Sequence, residues 1–160
     1  MNETHQQAMR VVRRYALFSA GAGLIPIHYL DLAAISGVQL KMLAEVSKIY
    51  DVPFQESRGK AVVGSLVGSV VPASLSFGTF GSMLKAVPVV GVLAGTPAMV
   101  LFCGATAWSL GKVFIQHYES GGTFLNFEPD RVREYFKSQF EEGRNMAAAM
   151  KTEEKAEVPV

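Results

Sequence analysis

The middle of this chain has almost no charge. Between Ala61 and Gly111 the only ionised side chain is Lys85. Over all 160 residues, 18% are charged and 49% hydrophobic, where an average soluble domain carries roughly 25% charged residues. Cysteine is nearly missing as well. Cys103 stands alone, which excludes an intrachain disulfide and any reading based on a disulfide framework. It lies in an apolar run and reads as a small buried hydrophobe. A net charge of +1 with no clustered basic face leaves no footprint for DNA or RNA.

The motifs of catalysis and cofactor binding are missing too. Gly111-Lys112-Val113 contains a Gly-Lys pair, but Val113 lacks the hydroxyl that holds magnesium in a phosphate loop, and the upstream glycine spacing is wrong. Gly21-Ala22-Gly23 is followed by Pro26 where a dinucleotide site needs glycine or alanine. No GxSxG turn occurs. His5, His28 and His117 are far apart and give no reason to propose a metal. The sequence therefore points away from an enzyme and names no catalytic, cofactor or metal residue.

What remains is helical patterning. Met9, Val12, Leu17 and Phe18 mix with Arg10, Arg13 and Arg14. This predicts a helix from Ala8 with a basic first half, preceded by a frayed start and ended by Pro26. Arg13-Arg14 before the uncharged stretch Tyr15–Leu30 looks like the opening of a signal peptide, but Pro26 and His28 interrupt the apolar part, so no cleavage is expected. Asp31 reads as a cap for a second helix, Leu32 to Tyr50. Leu32, Ile35, Met42, Leu43, Val46 and Ile49 give that helix one apolar face. Gln39, close to this face, reads as a buried amide. Asp51-Val52-Pro53 ends the helix.

Gln55–Lys60 reads as a short polar bridge into two uncharged runs, Ala61–Leu84 and Ala86–Gly111. Each is long enough to cross a bilayer, which takes ~20 residues. Together they suggest a hairpin over residues 61–118, turning near Lys85. Gly64 and Gly68 form one GxxxG pair, and Gly91 and Gly95 another. Small residues four apart let helix backbones approach closely. Pro72, Pro88 and Pro97 interrupt the runs. The cleanest span starts at Thr96-Pro97, an N-cap followed by proline at the first helical position. It runs to Tyr118, roughly 33 Å at 1.5 Å per residue. Trp108 and Tyr118 are its expected interfacial anchors, and Lys112 is expected to snorkel. Arg58, Lys60 and Lys112 flank the hairpin, and the positive-inside rule puts both flanks in the cytoplasm of a bacterial inner membrane. Arg10, Arg13 and Arg14 are candidate contacts for anionic lipid, against the plainer reading of a solvated helix face.

After Gly121-Gly122 the pattern becomes amphipathic. Pro129 opens a helix with Val132, Tyr135, Phe136 and Phe140 on one face. Gly143 either ends it or is passed through towards Met150. Residues 151–160 read as a disordered, charged tail. The expectation is one all-α domain over residues 1–150: a helical bundle with a Gly-rich apolar hairpin embedded in the membrane and a C-terminal amphipathic helix.

The segment Ile25-Pro26-Ile27-His28-Tyr29-Leu30-Asp31, with Gln39, Met42-Leu43 and Ile49-Tyr50-Asp51-Val52, resembles the bacterial family catalogued as domain of unknown function 697. The resemblance covers about Val11 to Gly122. Members often have a second proline where this chain has His28, and glycine where it has Asp51. Pro26, Asp31 and Gln39 match the pattern, and structural roles are assigned to them. Such domains are often fused to, or encoded with, Era-like GTPase domains and are regarded as membrane-associated. The resemblance thus implies a membrane anchor or scaffold, with a separate GTPase as a conceivable partner.

Two other readings compete with that one. A homo-oligomer soluble in water would use the Gly-rich hairpin as its assembly interface, and the broken runs favour it. A small channel or transporter component would also use helices interrupted by Gly and Pro, but the runs lack ionisable residues for coupling.

Overall fold

The computed structural model describes residues 2–22, 32–70 and 97–156. Among these there are five helices and no strand: α1 (Glu3–Ala22), α2 (Leu32–Ile49), α3 (Glu56–Gly68), α4 (Pro97–Glu119) and α5 (Pro129–Ala156). Pro26, His28 and Asp31, the second glycine pair Gly91 and Gly95, and the expected turn at Lys85 lie outside the described residues.

α4 is the axis of the fold. Every residue from Cys103 to Gly111 is buried. Its polar members satisfy themselves within the helix: the Thr106 hydroxyl donates to the Phe102 carbonyl (2.7 Å) and the Ser109 hydroxyl to the Ala105 carbonyl (2.8 Å). A helix that is apolar all round is either a membrane span or the centre of a bundle. Here α1 and α5 pack along it, and the outer faces of the first half of α1 and of α5 are charged. No helix among the described residues is long and apolar enough to cross a membrane. The span expected over Pro97–Tyr118 is therefore corrected to a protein-wrapped core helix.

The expected anchors change roles with it. Trp108 and Tyr118 are core residues, 5% and 6% exposed. Lys112 lies over the Trp108 ring, its Nζ 5.7 Å from the centroid. Arg58 donates to the carbonyls of Phe124 (3.1 Å) and Leu125 (3.0 Å), and Lys60 pairs with Glu56 (2.7 Å). Each basic flank thus has local work in the bundle, and the positive-inside argument loses its footing.

Glycine sets the closeness of α1 and α4. A Cβ on Gly111 would collide with both methyls of Val12, and one on Gly104 would sit 3.2 Å from the Ala20 Cβ. With His5 bonded to Glu119 (2.7 Å), these contacts show α1 and α4 running antiparallel. Gly64 and Gly68, proposed from spacing as packing positions, are exposed, with nothing within 4 Å of a Cβ at either.

Three boundaries differ from expectation. α1 begins at Glu3, not Ala8. The Asn2 side chain accepts from the Thr4 N–H (3.4 Å), and Glu3 meets the positive end of the helix. α3 begins at Glu56, so most of the expected bridge is its first turns, with Glu56–Lys60 an i,i+4 pair. α5 passes through Gly143 and continues to Ala156, past the point where the tail was expected to start. Ala147-Ala148-Ala149 are the strongest helix formers available.

α2 and α4 end alike. The N–H groups of Val52 and Gly122 reach back to Ser47 and His117 (2.9 Å each), with a left-handed residue just before: Asp51 at φ 55° and Gly121 at φ 79°. Gly121 adopts this freely, whereas Asp51 does so against its Cβ.

Candidate membrane-contact face

The three arginines singled out from the sequence all lie exposed on α1. Their spacing of three and four residues places them on adjoining positions of one face. They are not equivalent. Arg14 is paired with Glu45 of α2, and its guanidinium lies 5.4 Å from the Tyr15 ring centroid. Glu45 also accepts from the Tyr15 hydroxyl (2.6 Å). Burial first, then this bond to a carboxylate, pushes the Tyr15 hydroxyl up to about 12. Arg10 and Arg13 have no ion-pair partner among the described residues. Only these two are free for an outside anion.

Beyond the arginines α1 carries no further charge, and Leu17 and Phe18 are 57% and 61% exposed. Large apolar side chains at such exposure are unusual when clustered, and mark contact sites. The sequence showed Leu17 and Phe18 as helix-face residues. It gave no signal that they point away from the core.

The opposite end of the bundle is polar. There the start of α1 and the ends of α2 and α4 meet at Glu119, which accepts from Tyr50 (3.0 Å) and bonds His5. Ser47 and Tyr118 are hydroxyl partners at 2.8 Å beneath. Moving along the axis from this cluster, the last charges are Arg14 on α1, Lys41 on α2 and Lys112 on α4. Beyond them lie Tyr15–Ala22, Leu32–Leu40 and Pro97–Gly111, all uncharged. Three helices thus lose their charge toward the same end. α5 does not, keeping Glu141, Glu142 and Arg144 on its outer face. Gln39, from the sequence pattern, is buried in the uncharged half at 2% exposure.

Between α1, α4 and α5 runs a groove of about 270 Å³, lined by Arg13, Leu17, Ala20, Gly104, Trp108 and Met146 among others. No group of His, Cys, Asp and Glu among the described residues has the arrangement of a metal site.

The fold and this face define a class: an all-helical bundle in which α1, α2 and α4 lose their charge toward one end while α5 keeps it. The chain belongs to the family described as Domain of unknown function (DUF697), whose model matches residues 1–145. It is similar to "Magnetosome membrane protein 22" of Magnetospirillum gryphiswaldense (strain DSM 6361 / JCM 21280 / NBRC 15271 / MSR-1). The two are 36% identical over 149 residues, which is 93% of this chain and 76% of that protein. No solved structure matches.

Proposed function

We propose that this protein is a membrane-associated helical scaffold that meets an anionic lipid surface with the uncharged end of its bundle. The observation that carries the reading is Leu17 and Phe18, exposed one turn beyond Arg13 and two beyond Arg10 on the same helix. Apolar side chains that enter an interface, backed by arginines at headgroup level, are how a helix binds lipid without crossing it. The name of the magnetosome membrane relative supports the setting. The proposed role is non-catalytic.

The test is co-sedimentation with vesicles of phosphatidylglycerol and phosphatidylcholine, and with phosphatidylcholine alone. The protein should pellet with the anionic vesicles, less so as salt rises, with a fraction that salt does not release. Failure to pellet with either composition would sink the reading.

Two finer roles rest on less. A separate GTPase partner follows only from the family resemblance, and a nucleotide-dependent pull-down with such a protein would test it. Self-association through the exposed Gly64 and Gly68 face of α3 would appear as a concentration-dependent mass in sedimentation.

A further inference from the structure

The groove between α1, α4 and α5 points to more than a surface contact. We infer that it holds one acyl chain of an anionic phospholipid, with the phosphate at the Arg13 and Lys112 end. This rests on the membrane reading above and adds a discrete, stoichiometric site to it.

Four observations converge. First, the walls are mostly apolar. Leu17, Ala20, Gly104 and Met146 line a space of about 270 Å³, just under the ~300–1,000 Å³ of ordinary ligand pockets. That volume accommodates a single hydrocarbon chain. Second, the charge sits at one end. Arg13 is the one charged residue of the groove lining, and Lys112, outside the lining, is held over the ring of the lining residue Trp108 at 5.7 Å. The antiparallel pairing of α1 and α4 puts these two residues at the same level, with Ala20 and Gly104 at the other end. Third, the Trp108 side chain is 5% exposed, yet its indole N–H has no acceptor among the described residues. Its neighbouring atom Cδ1 is 2.9 Å from where a Cβ on Gly143 would sit. Gly143 and Trp108 both line the groove, and the enclosed N–H lies beside it. A buried donor left unpaired destabilises the fold, and an ester carbonyl beneath a phosphate is the acceptor proposed for it as the groove opens to admit a chain. Fourth, Leu17 belongs both to the groove wall and to the exposed apolar face, so a chain leaving a membrane at that face reaches the groove without crossing water.

The experiment uses the full chain and its single tryptophan, Trp108. Dihexanoylphosphatidylglycerol, kept below its aggregation concentration, is titrated while Trp108 emission is followed. Vesicle co-sedimentation is measured in parallel. The expected result is a saturable change with one lipid per chain. Dihexanoylphosphatidylcholine should bind more weakly, and Arg13→Glu should weaken phosphatidylglycerol about tenfold, since one basic group near an anionic headgroup is worth about fivefold and reversal adds to that. Ala20→Leu, which fills the groove, should abolish the response. Its helicity and melting are checked first, and the exposed Arg13→Glu variant serves if it fails to fold. Pelleting with vesicles but no saturable Trp108 response overturns the groove site and leaves the surface reading standing. A response equal for both lipids and indifferent to Arg13→Glu also overturns it. No pelleting and no response removes the surface reading and the groove together.

Discussion

The two ends of this bundle are made from the same helices and solve opposite problems. At the end where α2 and α4 finish, aromatic rings and polar groups lock the chain. Phe114 stacks on Phe127 at 4.6 Å with the planes 4° apart, Phe124 and Tyr118 close around it, and Glu119 collects bonds from α1 and α2. At the end where α1 finishes, charge runs out and large apolar side chains stay uncovered. The first end is built for stability, with Glu119, Tyr118 and Ser47 all paired. In the proposed reading, the second offers its uncovered side chains to a membrane. Leu125 is exposed alone at the polar end, whereas Leu17 and Phe18 are exposed side by side on an uncharged stretch, and that pairing is the informative feature.

That contrast can be broken at either end, and the consequences should separate. The largest effect is expected from Phe114→Ala, which empties a fully buried position at a cost of about 3–5 kcal/mol. Urea unfolding would measure it. Next comes Leu17→Ser with Phe18→Ser. Stability should stay within about 0.5 kcal/mol, as for other surface changes. Affinity for anionic vesicles should fall about thirtyfold or more, from the loss of two partly inserted side chains at about 1 kcal/mol or more each. If vesicle binding were unchanged, the apolar end would not be the contact.

High pH should loosen the stable end and the α1–α2 junction. Tyr15 rises from 10.0 to about 12, through burial and then its bond to Glu45. Burial likewise raises Tyr50 and Tyr118, with Glu119 adding to the effect on Tyr50. A tyrosine is neutral below its pKa. A raised folded value therefore stabilises fully below about pH 10 and is lost as pH climbs through about 12. Urea midpoints should be flat from pH 7 to 9 and fall from pH 10 upward. Tyr15→Phe should reduce that fall.

The smallest effect is a gain. Asp51 holds φ 55° at the end of α2. Asp51→Gly should stabilise by about 0.5–1 kcal/mol by relieving the left-handed strain, seen as a higher melting temperature. It should leave lipid binding alone.

Much of the helical layout was legible in the sequence. The Asp51-Val52-Pro53 stop, Pro97 and Pro129 at helix starts, and the glycines after Tyr118 are local signals, and local chemistry set those boundaries. Glu56–Lys60 was misread as a bridge because it is polar, although its i,i+4 pair and the burial of Gly59 make it helix. The larger error concerned α4. Its apolar residues suggested a span, but the helix is not long and apolar enough to cross a membrane, and α1 and α5 pack along it. The glycines that matter for that packing, Gly104, Gly111 and Gly143, are not in GxxxG pairs, because the partner helix sets their spacing. Of the candidate site, Arg10, Arg13 and Arg14 were visible as a basic stripe. That Glu45 occupies Arg14, and that Leu17 faces outward, are tertiary facts.

The central claim is that one end of the bundle enters lipid and the other stays in water. Spin labels placed singly at residue 18 and at residue 120, in a Cys103→Ala background on phosphatidylglycerol vesicles, test it directly. Oxygen collision should rise and collision with a water-soluble nickel chelate should fall at residue 18 on vesicle binding, while residue 120 stays unchanged. Equal accessibility at both residues, or lipid contact at residue 120, would contradict the account.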